Sequence, residues 1–463
     1  MRTHTIIVDP RTGTPLRRRS LQSLEAVSAA VVRARCALEK WSTLAIADRC
    51  RILARAADLI QRDADSLAQE LLEEQGKPWA EAWAEITKTA GVFRHFSAEP
   101  EQDAIPSGVT GSRVDWEPVG VVAAIVPNNY PATLAAYKCA PALAAGCAVI
   151  VKPDLQTAAV TEHLTRLLLQ AGVPDGVIQI AYCVNDVAEH ALVRNPGLDA
   201  VSFTGSARVG IALAAQSQGR GRPARVTLEL GGVNSLIVEP DSNIDTTVEA
   251  ALTKAFRNAG QVCHGISSVF IHEAIRDEWT AKFIDRAQDL RPVTEDRTEN
   301  SNEVMGPLAT QAARDRIKGD VERWRAAGAA IYQGENFRGA GGWFYPPTVV
   351  CPPGTGADPG GEQELFGPAV IVTTYRELAS VIDRVNARSS GLVTYLYGCD
   401  SSVLAEQAKR LQCGSVGLNT TRVVDPRIPF GGWKASGLGT ELGPHAVRAF
   451  QRPRHICWKR CAC

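Results

Sequence analysis

Three side chains in this sequence have the types and settings that carbonyl chemistry needs. Cys263 closes the stretch FRNAGQVC, Phe256 to Cys263, in which Gly260 frees the backbone to turn. Within it, Asn258 and Gln261 place amides between apolar neighbours. Glu229 lies in TLELGG, at the end of an apolar run, and Asn129 lies in VPNNYP, directly after another. A thiolate attacks carbonyl carbon. An amide NH2 stabilises the oxyanion that results. A carboxyl group inside an apolar strand is unfavourable unless paired or used, and burial raises its pKa toward the range of a general base. Taken singly, each residue also has a plainer reading: Cys263 as an inert buried thiol, Glu229 as a salt-bridged edge residue, Asn129 as a turn former. Taken together, they suffice to oxidise an aldehyde if an acceptor removes the hydride.

The elements that must position them are legible as two blocks. Residues 21–75 repeat apolar positions at helical spacing, with a stop at Gly76. From GVVAAIV onward strand and helix alternate: GVVAAIV, ATLAAYKCAPALAAG, CAVIVKP, AAVTEHLTRLLLQAG, GVIQIAY, DVAEHALVRNPG, AVSFTG, and then the strand RVTLELGG. Such alternation predicts a doubly wound parallel sheet. A second alternating block starts near Asn234 and includes helices over 246–258 and 276–290 and strands such as SLIVEP, AVIVTTY and SVGLNTT. GTGADPGGEQELFG reads as a loop. The expected fold class is two doubly wound α/β domains plus a small β element for oligomerisation. The expected boundaries are 1–106 with 119–230 for the dinucleotide-binding domain, 231–440 for the catalytic domain, and 107–118 with 441–463 for the oligomerisation hairpin and C-terminal strand.

Composition removes several function classes. The chain has 463 residues, 45% hydrophobic and 22% charged, enough for two or three domains of ordinary globular usage. Lys plus Arg number 50 and Asp plus Glu number 50, a balance that argues against nucleic acid as partner. The basic N-terminus is followed by no apolar core, so it is not a secretory signal. The most apolar region, 119–151, is broken by Pro127, Asn128, Asn129, Pro131, Lys138 and Pro141 and does not read as a membrane span. Twelve cysteines are scattered without zinc-site spacing, and the Cys461–Cys463 pair reads as an exposed tail. No metal is expected, and free thiols point to a reducing cytoplasm.

Six stretches carry a family likeness: VPNNYPATLAAYKCAPALAAGCAVIVKPD, FTGSARVG, LELGG, FRNAGQVC, QELFGP and PFGGWKASGLGTELG. In this order and spacing, over nearly the whole chain, they resemble the aldehyde dehydrogenase superfamily. The resemblance implies Cys263 as nucleophile, Glu229 as general base and Asn129 as oxyanion donor, with the Cys263 N–H as the second donor. It implies a modified Rossmann domain for NAD or NADP, so the absence of GxGxxG does not count against a cofactor. Lys152 would meet the adenosine ribose, and Phe203, Thr204, Gly205, Ser206 and Gly210 the pyrophosphate at a helix N-terminus. Glu364 and Phe366 would meet the nicotinamide ribose and ring, and Val126 and Pro127 complete the cofactor residues. Because relatives that hand the acyl group to coenzyme A generally lack the glutamate, Glu229 favours hydrolysis to an acid. The alternatives are such an acylating enzyme and a non-catalytic relative kept for binding.

The sequence departs from the family pattern at four places. Leu155 stands where NAD-preferring relatives carry a glutamate that repels a 2′-phosphate, which leaves NADP open. AYCVNDVAEH lacks the glycines usual beside the adenine, Val233 replaces a frequent lysine, and Asn128 replaces the usual tryptophan. For the substrate, a small-molecule aldehyde, NTTRVVDPRIPFGG occupies a tunnel position. Arg422 and Arg427 there either anchor an anionic group or are solvated arginines of a surface loop. His264 and Tyr130 complete the substrate residues, with His264 read as a spectator at the wall. GSRVDWEPVG and RPRHICW are expected to pair between subunits of a homodimer or homotetramer.

Overall fold

The computed structural model describes residues 3–99, 111–218, 223–294, 297–300, 302–354, 361 and 363–458. The Cys461–Cys463 tail and most of GTGADPGG lie outside the described residues. An antiparallel pair, β1 (His4–Val8) and β2 (Pro15–Ser20), leads into helices α1 (Leu24–Thr43), α2 (Ile46–Arg62) and α3 (Ala64–Gln75), where the apolar spacing predicts helix. Gly76, at φ +74°, ends α3 in the left-handed conformation. Pro78 then serves as N-cap of a further helix, α4 (Trp79–His95), which lies beyond the apolar repeat of residues 21–75.

After β3 (Ser112–Pro118) comes the first large sheet. Its parallel strands are β4 (Val121–Ile125), β5 (Ala148–Lys152), β6 (Ile178–Ile180), β7 (Ala200–Gly205) and β8 (Arg225–Leu230). In space they run β6-β5-β4-β7-β8. Helices α5 (Pro131–Ala145), α6 (Ala158–Ala171), α7 (Asn185–Ala188, continued by a π turn over Glu189–Val193) and α8 (Ala207–Gln218) connect them. Every residue of β4 and β5 is buried, as a strand covered on both faces must be. The winding reverses between β4 and β7, which opens a crevice at the carboxyl ends of those strands. A short strand, Gly437–Leu438, returns from far along the chain and pairs antiparallel with β8, setting Gly437 opposite Glu229.

The second sheet is seven-stranded. At its centre β9 (Ser235–Val238) lies beside β10 (Ser268–His272), and α9 (Ile244–Phe256) connects the two. All its pairings are parallel except that of the edge strand Ala330–Gln333. Ser112–Pro118 and Gln451–Cys457 pair with each other inside one chain, over seven residues in register. This corrects the expectation that they pair between subunits: the antiparallel ladder between them is already filled.

Candidate active site

The turn that presents Cys263 is built against backbone preference. α9 ends at Phe256, and Asn258 (φ 52°), Ala259 (φ 53°) and Gly260 (φ 71°) follow in the left-handed region. Such conformations persist at non-glycine residues only when the surroundings over-determine them. Here they do. The Asn258 N–H donates to Glu81 Oε2 at 3.0 Å. The Asn258 side chain donates to the Asn129 carbonyl at 3.0 Å and to the Gln261 carbonyl at 3.2 Å, and accepts from Gln75 at 3.0 Å. Gln261 Nε2 donates back to the Asn258 carbonyl at 2.9 Å, and its Oε1 accepts from the Ala309 N–H. At Gly260 a Cβ would lie 2.2 Å from the Gly367 carbonyl oxygen. Gly260→Ala is therefore expected to destabilise the fold by about 2 kcal/mol or more, read as a lower melting midpoint.

Asn129 sits where β4 gives way to α5, buried at 2% exposure. Its carbonyl accepts from Gln75 (2.7 Å), Lys77 (2.9 Å) and Asn258. Its amide NH2 donates to the Gln261 carbonyl at 3.0 Å, which leaves one N–H uncommitted. Lys77 is itself buried, ion-paired with Glu85, and covered by the Tyr130 ring at 3.9 Å. The Glu85 carboxylate also accepts from the Ala132 and Thr133 N–H groups, capping α5, whose N-cap residue Tyr130 makes no side-chain cap of its own. None of Gln75, Lys77, Glu81 and Glu85 was singled out by motif, because the site segments they hold lie 47 or more residues away in sequence.

Glu229 projects from β8 with 5% exposure, and neither carboxylate oxygen has a hydrogen-bond partner among the described residues. Burial pushes its pKa well above the usual carboxylate range, and Glu441 pushes it further. Glu441 in turn is ion-paired with the buried Lys138 and accepts from Ser202 at 3.3 Å. A few residues past Glu229, Asn234 donates to the Cys263 carbonyl at 2.7 Å and to that of Gly265 at 2.9 Å. The loop that follows β8 is thereby fastened to the cysteine turn. Cys263 keeps part of its surface open. Burial first, then the charges of Glu229 and Glu364, push its thiol up to about 12; Lys88 and a hydrogen bond from the His264 N–H act the other way.

The remaining expected residues divide. Val126, Pro127, Lys152, Thr204, Gly205 and Ser206 lie at the carboxyl ends of β4, β5 and β7, around the crevice. Gly210 faces Leu230 and Phe203 so closely that a Cβ would lie 2.5 Å from the leucine. The Phe203 ring belongs to the core with Leu228 and Leu230, so only its backbone borders the crevice. Lys152 donates to Asn185 at 2.9 Å. Glu364 lies against Gly231, where a Cβ would be 1.9 Å from its Oε2, and burial raises it to about 7. Arg316 holds the Leu365 and Phe366 carbonyls, and Phe366 takes φ 42°. Arg422 is exposed, and Arg427 is held bidentately by Asp425. His264 accepts from Lys254 at 3.2 Å and is kept neutral by burial and by that ammonium. Buried oxygens without partners among the described residues at Thr204 and Glu364, with the N-terminus of α8 directly after β7, fit a dinucleotide. Among the described residues there is no cluster able to hold a metal ion, and no helix is long and apolar enough to cross a membrane.

Comparison with known proteins identifies the family. The profile of the aldehyde dehydrogenase family matches residues 2–456. A probable succinate-semialdehyde dehydrogenase [NADP(+)] of Sinorhizobium fredii is 33% identical, covering 97% of this chain and 92% of its own. A non-phosphorylating aspartate-semialdehyde dehydrogenase of Halomonas elongata is 32% identical, covering 97% and 91%. The crystal structure of an Escherichia coli NADP-dependent enzyme superposes with a TM-score of 0.92 at 32% identity, covering 98% of this chain and 94% of that one. A Staphylococcus aureus betaine aldehyde dehydrogenase in complex with NAD+ superposes with a TM-score of 0.90 at 28% identity, covering 98% and 91%. Matched from end to end in sequence and in fold, the chain belongs to the aldehyde dehydrogenase family, oxidoreductases that act on aldehydes with NAD or NADP as acceptor.

Proposed function

We propose that this enzyme oxidises an aldehyde to a carboxylic acid through a covalent intermediate on Cys263, and that its substrate is a semialdehyde bearing an anionic group. The observation that carries the reading is the pair of hydrogen bonds joining three distant segments. Asn129 donates to the Gln261 carbonyl, and Asn234 donates to the Cys263 carbonyl, so the amide, the end of the Glu229 strand and the sulfur share one site.

In this mechanism the Cys263 thiol gives up its proton to water and its sulfur adds to the carbonyl carbon. The free N–H of Asn129 and the Cys263 N–H receive the oxyanion. Lys152, Glu364 and the α8 N-terminus would hold NAD or NADP, whose nicotinamide would supply the hydride acceptor. Glu229 takes a proton from water as the water oxygen adds to the thioester; the C–S bond then breaks and the acid leaves. A carboxylate whose pKa is raised, and whose oxygens have no partner, is a stronger base once ionised than a solvated one. The names of the Sinorhizobium and Halomonas relatives support a semialdehyde substrate.

The test is a panel of aldehydes assayed with both cofactors, following absorbance of the reduced nicotinamide. Succinate semialdehyde should be among the best substrates; no turnover of any aldehyde would refute the reading. Leu155, in the 3₁₀ turn after β5, offers no carboxylate to repel a 2′-phosphate. Leu155→Glu is expected to raise KM for NADP by about tenfold and leave KM for NAD lower or unchanged. For assembly, the ribbon of Ser112–Pro118 and Gln451–Cys457 has no third strand among the described residues. It exposes Val114, and Trp458 is exposed just beyond it. This supports a homodimer or homotetramer joined there, measurable by light scattering. Ten described cysteines, none in a disulfide, support a reducing compartment such as the cytoplasm.

A further inference from the structure

We infer that Lys254 and Lys88 form the seat for the remote carboxylate of the substrate. The inference rests on the proposed oxidation at Cys263 and says which side chains select the aldehyde. The two fully buried lysines, Lys77 and Lys138, each hold a glutamate. Lys254, half-buried on α9, is different: among the described residues no acid lies within ion-pair distance of it. A cation taken this far from water without a counterion is unfavourable unless an anion arrives to pair with it. Burial, and then the neighbouring charges of Arg257 and Lys88, hold its ammonium down to about 8.

Its position matches the task. The Lys254 ammonium donates to His264 Nδ1 at 3.2 Å and lies 5.8 Å from the centre of the Tyr395 ring. His264 is the next residue after Cys263, and its carbonyl accepts from the Tyr395 hydroxyl at 2.8 Å. The far side of the imidazole meets the edge of Phe430 at 6.3 Å between centroids. Because His264 is neutral, it orients the ammonium without adding charge of its own. Lys88, one turn beyond Glu85 on α4, lies 5.5 Å from the centre of the buried Tyr137 ring, and among the described residues it too has no acid partner. Both Lys88 and Tyr137 lie close enough to Cys263 to feel its charge, and Lys88 remains open to solvent. Lys254 thus lies against the residue that follows the nucleophile, and Lys88 is the more exposed of the two. Between them, an aldehyde seated on Cys263 presents its acid arm to two uncommitted cations. The arginines that the sequence suggested for this role, Arg422 and Arg427, are exposed, and the second is already paired with Asp425.

The test compares succinate semialdehyde with butanal, an uncharged aldehyde of equal chain length, in the wild-type enzyme and in Lys254→Met and Lys88→Met. Lys254→Met is expected to lower kcat/KM for succinate semialdehyde about 30-fold with kcat/KM for butanal unchanged; Lys88→Met, which also removes a charge that lowers the Cys263 thiol, is expected to cost succinate semialdehyde more than butanal. Lys254→Arg should recover most of the loss. Equal loss on both aldehydes, or none on either, overturns the inference. A wild-type enzyme that prefers butanal overturns this seat alone and leaves oxidation at Cys263 standing; a wild type that oxidises no aldehyde overturns both. A second measurement needs no variant. Alkylation of Cys263, read on its peptide by mass spectrometry, should favour iodoacetate over iodoacetamide by more than free cysteine does; an equal or smaller preference overturns the proposal.

Discussion

Replacing Cys263 with alanine is expected to cut aldehyde-dependent formation of reduced cofactor by about 10⁴-fold or more, with cofactor affinity retained. The size of the effect follows from the site. Among the described cysteines, Cys263 alone is drawn into one hydrogen-bonded network with Asn129 and Asn234 and into electrostatic contact with Glu229. Without the sulfur no covalent intermediate forms, and the oxyanion donors have nothing to stabilise. Cofactor titration by fluorescence, run beside the assay, separates lost chemistry from lost fold. Full activity in the alanine variant would remove the nucleophile from the mechanism.

Glu229→Gln is expected to behave differently. Sulfur addition and hydride loss proceed, so a burst of about one equivalent of reduced cofactor per site should appear. Turnover after the burst should fall by about 10²–10⁴-fold, because amide cannot accept the proton from water. The pH dependence follows with definite sign. Glu229 works as a base only when ionised, and its pKa lies well above the ordinary carboxylate value. Where release of the acid limits turnover, kcat in the wild type therefore rises with pH through that titration, and the rising limb is absent in the glutamine variant. The same substitution removes one of the charges that push the Cys263 thiol toward about 12, so the inflection of its alkylation rate should move to lower pH. Unchanged turnover, or an inflection that moves upward, would count against the assignment.

Much of this was legible in the residues. The alternation of apolar strands and helices from Val121 to Leu230 carries its own period, and FRNAGQVC, LELGG and VPNNYP hold the groups proposed to react. What was not legible is the support beneath them. α4 was hidden by Gly76 and Pro78, two residues that ordinarily mark the end of a helix: Gly76 does end α3, but Pro78 caps the helix that follows. With α4 unseen, Glu81, Glu85 and Lys88 had no place near the site. Gln75 and Lys77 act through hydrogen bonds to the Asn129 carbonyl, a contact between segments no local pattern relates. The ammonium of Lys254 reaches His264 because α9 and the cysteine turn fold back on each other, whereas in sequence it is one lysine near a helix end. Local periodicity reports elements; the environment of a side chain is a property of their packing.

The pairing of Gly437 with Glu229 also bears on when the enzyme comes alive. The strand that carries the base has its outer edge closed by residues the ribosome makes some two hundred positions later. Until those emerge, the unpaired backbone of Arg225–Leu230 stands open to wrong neighbours, and Glu441 is not yet there to meet Lys138. The edge of that strand and the partner of Lys138 are thus among the last parts of the fold to be completed.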